Sequence, residues 1–171
     1  PEALNTALEN RFLETGHPVD LTLMFGAAQG ARDGSGGDHY AHEGMLKRVI
    51  AGHYNLNPVL GKLINENKCE AYNLPQGVIT HMYRDIAAHN LGTITHVGLY
   101  TFADPRNGGG KLNTCTKEDL VKIIEIEGQE RLLYKGFPID VVFLRASYCD
   151  ERGNCTVHRE VGPLDVTAMA Q

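Results

Sequence analysis

Between Glu70 and Ile86 the chain changes its hydrophobic period within a few residues, and that switch limits the folds open to it. Glu70-Ala71-Tyr72-Asn73 is predicted to be a short strand and Leu74-Pro75-Gln76-Gly77 a turn pinned by proline; Val78, Met82 and Ile86 then recur at i, i+4 and i+8 along one helical face. A strand running straight into an amphipathic helix needs a crossover to return, which is the building unit of a parallel sheet. The same geometry points the Gln76 side chain and the first backbone N–H groups of the helix out of the end of the strand. The positive end of the helix dipole then faces whatever binds there, which suits a carboxylate or another small anion. Taken alone, the turn marks a pocket rather than a reaction.

The flanking sequence repeats the alternation. Leu4, Ala7, Leu8 and Phe12 lie at helical spacing, and Gly16-His17-Pro18 ends that helix. Asp20–Phe25 is predicted as an apolar strand, Gly26–Ala41 as a glycine-rich loop and Lys47–Gly52 as a second, buried strand. Asn57-Pro58 supplies a cap and a first-turn proline for a helix with the buried face Val59, Leu60, Leu63 and Ile64, ending near Asn67. Ile94–Gly98 is a fourth predicted strand. Beyond it, Phe102–Asn113 is a glycine-rich polar loop, and Lys122–Ile126 pairs with Arg131–Lys135 as a hairpin turning at Glu127-Gly128-Gln129. Ile139–Ala146 is apolar enough to be a strand buried on both faces. Glu151–Asn154 turns the chain into another short strand, and Asp165–Gln171 begins a helix. The expected fold is α/β, with an open, mainly parallel sheet flanked by helices. A complete unit would return to the sheet after the last helix, and the chain starts with Pro1 rather than methionine, so truncation at both ends is expected.

With 171 residues, 42% of them hydrophobic, the chain suits one globular domain with a real core. Its net charge of −5 argues against a broad electrostatic grip on nucleic acid. No run approaches the roughly 20 apolar residues that span a bilayer, so no membrane partner is expected. The first residues lack a basic segment followed by an apolar one, and a cytoplasmic location is expected. The four cysteines, Cys69, Cys115, Cys149 and Cys155, form no Cys-x-x-Cys pair and read as reduced thiols. A Cys149–Cys155 disulfide across the Asp150–Asn154 turn would need an oxidising compartment.

Several patterns in the chain carry side chains capable of chemistry. His39-x-x-His42-Glu43 offers one ligand pair but neither a third ligand at regular spacing nor the His-Glu-x-x-His helix of a zinc protease, so no metal is expected. Gly108-Gly109-Gly110-Lys111 is not a phosphate loop, because Pro105 and Leu112 stand where glycine and Ser or Thr are required. Gly26–Gly37 lacks the dinucleotide fingerprint after a strand, and no Gly-x-Ser-x-Gly elbow is present. Glu43, Glu70 and Glu125 are carboxylates that nothing local singles out. Gln76 differs from all of these, since it stands at the carboxyl end of a predicted strand, where open α/β sheets place ligands. His53, just past the second strand, ends on the same edge.

At these residues the chain resembles the family I CoA-transferases of the acetate/propionate type. The resemblance runs through Leu13-Glu14-Thr15-Gly16-His17-Pro18, His42-Glu43-Gly44, Lys47-Arg48-Val49-Ile50 and Glu70–Gly77. It continues through Arg84–Ala88, Val97-Gly98-Leu99, Thr101-Phe102-x-Asp104-Pro105-Arg106, Gly109–Asn113, Tyr134-Lys135 and Phe137–Val141, covering nearly the whole chain. It implies that residues 1–171 are most of the N-terminal half, a single incomplete domain. The active site would lie between this half and a second half or subunit. Gln76 and Gly77 would face the carboxylate substrate, with His53 nearby. Such chemistry is ping-pong: a glutamate attacks an acyl-CoA thioester, and an acyl-glutamyl anhydride and then a glutamyl-CoA thioester follow. The resemblance places that glutamate outside this chain, so no catalytic residue is expected here. Coenzyme A enters as a substrate beside a short-chain carboxylic acid, and no tightly bound cofactor is implied.

Two departures accompany the match. Pro1 stands where the family's glycine-rich signature ends, and Ala51-Gly52-His53-Tyr54-Asn55 replaces a Gly-Gly-His-Trp-Gly segment, which would alter the pocket wall. A second reading is a non-catalytic binding or assembly module with the same fold, and a third is a sugar-phosphate isomerase of similar fold, which the family-specific turn fits less well. A bare sheet edge would pair with something, so an oligomer is expected.

Overall fold

Three parallel strands, β1 (Leu21–Phe25), β2 (Leu46–Ala51) and β3 (Glu70–Asn73), lie side by side in that order. The structure, a computed structural model, describes residues 2–27 and 29–160. Alternation along the strands divides the core between the two faces. Val49, Ala51 and Ala71 pack with Leu60, Leu63 and Ile64 of helix α2 (Pro58–Asn65). Ile50 and Tyr72 pack on the other face with Val78, Ile79, Met82 and Tyr83 of helix α3 (Gln76–Ala87). Helices on both faces explain why these strands read as continuous apolar runs. Each fully buried Leu or Ile in these layers contributes about 1.5–3 kcal/mol. Tyr72, fully buried, keeps its phenol satisfied by donating to the Glu118 carbonyl (2.8 Å).

A second sheet is antiparallel: β4 (Gly92–Thr95), β5 (Val121–Ile126) and β6 (Gln129–Lys135), in the order β4-β6-β5. Its inner residues Val121, Leu132 and Tyr134 close over the α3 side of the core. The fourth strand therefore differs from expectation. It starts and ends earlier, and it pairs with β6, Gly92 to Lys135 through Thr95 to Leu132, instead of extending the parallel series. Val97 and Gly98 belong to a turn, with the Val97 N–H donating to Thr95 Oγ1 and Gly98 at φ +103°. The β5–β6 hairpin forms as predicted, but Gln129 is in the ladder opposite Ile126. The turn is the pair Glu127 (φ +51°) and Gly128 (φ +75°), the two-residue geometry whose twist suits a hairpin.

Three further expectations are corrected. Ile139–Ala146 is not a strand. Val141 is 70% exposed, and among the described residues no edge pairs with this segment. An apolar, strand-type run gains its ladder only from an edge beside it, and the path of this segment brings it to none among the described residues. Helix α1 (Glu2–Thr15) turns a different face inward: Leu8 and Phe12 pack against the core, Leu4 and Ala7 are exposed, and the buried residue is Asn5. Asn5 is admitted because its Oδ1 accepts the Tyr40 hydroxyl (2.9 Å). In α2, Val59 is exposed and Asn57 does not cap with its side chain; instead Asn57 Nδ2 donates to the Gln29 carbonyl (2.6 Å). Asp38, from a 3-10 turn at Gly36–Tyr40 inside the predicted loop, accepts the Leu60 N–H (2.9 Å) in its place.

The last described elements are β7 (Tyr148–Cys149) and β8 (Cys155–Thr156), an antiparallel pair around the predicted turn. The helix expected at 165–171 lies outside the described residues. Among the described residues, no helix is long and apolar enough to cross a membrane.

Candidate functional site

Because β1, β2 and β3 run parallel, their carboxyl ends finish on one edge. Gly26 follows β1, Gly52 and His53 follow β2, and Leu74-Pro75 leads from β3 to Gln76, the first residue of α3. Backbone hydrogen bonds hold this edge together. The Gly52 N–H donates to the Gly26 carbonyl (3.1 Å), the Leu74 N–H to Ala51 (3.0 Å) and the Asn73 N–H to Gly110 (2.7 Å).

Gly52 sets how closely these ends meet. A Cβ at this position would stand 2.2 Å from Gln76 Cγ and 2.4 Å from the Gly26 carbonyl oxygen. Only a hydrogen fits, so Gln76 lies over the end of β2 with its stem in the space that Gly52 leaves empty. Pro75 precedes α3 in an extended conformation (φ −57°, ψ 130°) and has no side chain to cap the helix. Pro75 thus supplies no side-chain acceptor to the first-turn N–H groups of α3, which leaves them capacity for an anion. Gln76 and Gly77 are exposed, and a Cβ on Gly77 would meet nothing within 4 Å. The space above this helix end is open.

His53 is half-buried on the same edge, directly after Gly52. Its neighbour Tyr54 is tied back into the fold. The Tyr54 hydroxyl donates to the Tyr72 carbonyl (2.6 Å), and its ring meets Phe25 edge-on at 6.2 Å. Burial holds the Tyr54 phenol well above the usual range. The departure at Ala51–Asn55 therefore puts a fixed aromatic residue beneath the wall of the site.

The other candidate residues are elsewhere. Glu70 sits at the opposite end of β3 and pairs with Arg48 (2.5 Å), which also reaches Glu118 (2.8 Å). Glu43 pairs with Lys68 (3.1 Å), and Glu125 is exposed on β5. His39 bridges Glu9 (2.5 Å) and Glu2 (2.7 Å), while His42 bonds Glu9 (2.7 Å), so both histidines fasten α1 to the 3-10 turn. Among the described residues, no group of three or more His, Cys, Asp or Glu side chains is placed to hold a metal ion. A cleft of about 810 Å³ runs beside β4 and the later turns of α3, lined by His81, Asp85, Leu91 and Ile94 among others, and Gln76 is not part of it.

Sequence reasoning missed the role of the glycines beside β3. The triplet Gly108–Gly110 read as a polar loop, yet Gly110 (φ +76°) lies against β3, where a Cβ would come within 2.5 Å of the Asn73 carbonyl oxygen. Tyr72 forms an isolated bridge with Lys111, and the Leu112 N–H donates to Ala71 (2.9 Å), so this loop covers the outer edge of β3. A run of glycines beside a strand with one unpaired edge was the available signal. The same loop is anchored by Asp104, which is fully buried. Its carboxylate takes two hydrogen bonds from the Arg106 guanidinium (2.9 Å each) and accepts the Tyr100 N–H (2.8 Å) and the Arg106 N–H (2.9 Å).

The profile of the family described as "Coenzyme A transferase" matches residues 7–171. The acetate CoA-transferase YdiF of Escherichia coli K12 is 42% identical over 168 residues, which are 98% of this chain and 32% of that protein. The caffeate CoA-transferase of Acetobacterium woodii is 43% identical over 165 residues, 96% of this chain and 31% of that protein. A crystal structure of the acyl-CoA transferase YdiF from Escherichia coli O157:H7, a thioester complex with CoA, superposes with a TM-score of 0.93 at 41% identity, over 98% of this chain and 34% of that one. The glutaconate coenzyme A-transferase of Acidaminococcus fermentans shares the fold (TM-score 0.66, 19% identity, over 96% of this chain and 54% of that one). The chain thus spans about a third of the length of these two curated relatives.

Proposed function

Because this chain belongs to the coenzyme A transferase family, we propose that it forms the carboxylate-binding part of an enzyme moving CoA between an acyl-CoA and a free short-chain acid such as acetate or propionate. The observation that carries this reading is the seating of Gln76. Its stem fills the space beside Gly52, at the head of a helix whose N-cap, Pro75, provides no side-chain acceptor. An amide donor and a helix N-terminus on one open edge suit a carboxylate in the ground state and an oxyanion in each tetrahedral intermediate. His53, on the same edge, lines the pocket in this reading.

The reaction is ping-pong, through an acyl-glutamyl anhydride and a glutamyl-CoA thioester. The nucleophilic glutamate comes from the remainder of the protein. The positions of Glu43, Glu70 and Glu125, each away from Gln76, support this. Coenzyme A is a substrate in this scheme, the enzyme is cytoplasmic, and it works as an oligomer. Light scattering on the parent protein tests the last point, and a monomer would count against it.

Acyl-CoA/acetate exchange tests the reading directly. The parent protein should catalyse it, and residues 1–171 alone should not. In the parent, Gln76→Ala should lower kcat by about 10²–10³-fold, the usual cost of removing one oxyanion donor. Unchanged kinetics would remove Gln76 from the site. Relatives of nearly equal identity are named for acetate and for caffeate, so the two acids should be compared as acceptors; a preference for caffeate would overturn the short-chain assignment. Borohydride trapping of the glutamyl-CoA adduct on a glutamate within residues 1–171 would overturn the placement of the nucleophile.

A further inference from the structure

We propose that Cys149 and Cys155 form a reversible dithiol–disulfide couple, reduced at rest as the sequence implies and oxidised only when low-molecular-weight disulfides such as oxidised glutathione accumulate. The two residues are direct partners in the β7–β8 ladder. The flanking bond from the Asp150 N–H to the Asn154 carbonyl (3.0 Å) marks them as a non-hydrogen-bonded pair. Such pairs have Cα atoms about 4.5 Å apart, within the span a disulfide accepts. Both thiols are exposed, so a small oxidant reaches them without unfolding.

The hairpin is built to keep that register. Asp150 Oδ1 accepts the Arg152 and Asn154 N–H groups (2.9 and 2.8 Å), and its Oδ2 accepts Asn154 Nδ2 (2.8 Å). At the base, the Ser147 N–H donates to Thr156 (2.7 Å) and Arg145 pairs with Glu160 (2.7 Å). The Tyr148 ring stacks with His158 at 5.7 Å and lies under the Arg159 guanidinium at 5.6 Å. The turn thus holds the two cysteines in register as direct cross-strand partners. Cys69 is the contrast: it is buried, and burial pushes its thiol up to about 12.

The chemistry balances in two exchanges. The Cys149 thiolate attacks one sulfur of the disulfide RSSR, so that a Cys149–S–S–R bond forms and RS⁻ leaves. The Cys155 thiolate then attacks the Cys149 sulfur and expels the second RS⁻. The two cysteine protons end on the two RS⁻ groups, and the cysteine pair is oxidised as RSSR is reduced. Cys155 suits the second role because the neighbouring Cys149 thiol, and then the charge of Asp150, hold its thiol above the ordinary range.

Trypsin cuts at Arg152, between the two cysteines, so a 149–155 disulfide holds peptides 146–152 and 153–159 together. The full chain, reduced and folded, is to be incubated with oxidised glutathione, alkylated, digested and weighed by mass spectrometry. The linked pair should accumulate within single chains, leave Cys69 and Cys115 alkylated, and vanish with dithiothreitol. Cys155→Ser should retain a glutathione adduct on Cys149 that the unmutated chain clears. Stable separate adducts on both cysteines of the unmutated chain, or bonds joining two chains, would overturn the proposal. So would loss of the adduct at the same rate in the variant.

Discussion

At Gly52 the absence of one methyl group decides the position of a side chain from another element. The residue is not in a left-handed conformation, so its requirement is space rather than backbone freedom. Gly52→Ala forces either Gln76 or the Gly26 carbonyl to move. The expected cost is about 1–3 kcal/mol of stability, as for other overpacked positions, together with a displaced Gln76. Thermal unfolding measures the first effect. Acetate exchange in the parent protein measures the second, and Gly52→Ala should lose activity while still folded. If it folds less well but retains full activity, the close approach matters only for packing.

Helix α1 shows how charge fastens an element that is only weakly apolar. Burial alone would push the His39 imidazole down, but its bonds to Glu9 and Glu2 outweigh this and it titrates above 6.5. The bond from His39 holds the Glu2 carboxyl below its usual 4.5; for Glu9, burial opposes the His39 and His42 bonds without overcoming them. The histidine share of α1 docking is complete below 6.5 and is lost as pH rises through the folded value. The carboxylate share is complete above 4.5 and is lost as pH falls through the lowered values. Docking should therefore be tightest between these limits. Amide exchange across Glu2–Thr15 should accelerate above that window, and His39→Ala should remove the alkaline dependence. None of this was legible in the periodicity of Leu4, Ala7, Leu8 and Phe12, because a pattern of apolar spacing cannot announce a buried Asn5 matched to Tyr40, or histidines paired with Glu9 across some 30 residues. The α3 face Val78, Met82 and Ile86 was legible, since there apolar burial alone decides the face. Ile139–Ala146 was misread for a related reason: its composition is strand-like, but pairing depends on a partner that composition does not encode.

Across the whole molecule, Asp104 links the loop at the site edge to the antiparallel sheet. Arg106 bonds Asp104 and also reaches Glu130 of β6 (3.2 Å). The guanidinium holds the Asp104 carboxyl far below the usual carboxylate range, against the effect of burial. A group lowered in this way contributes stability above its unfolded value, about 4, and that contribution is lost only as pH falls through the folded value. Asp104→Asn should lower the melting temperature at neutral pH and flatten its decline on the acid side. An unchanged acid profile would mean that other carboxylates govern acid unfolding.

The Gly110–Leu112 seam along β3 also gives the parallel sheet a direction of growth. Its bonds from Asn73 to Gly110 and from Leu112 to Ala71 use the groups that an added strand would need. Among the described residues, β1 carries no such cover on its outer side. Strands can be appended beside β1, whether from further along the polypeptide or from another molecule. Beside β3 they cannot, unless the glycine loop is first peeled away. An intruding strand on that side would have to displace the Gly110–Leu112 loop from β3 before it gained its first bond.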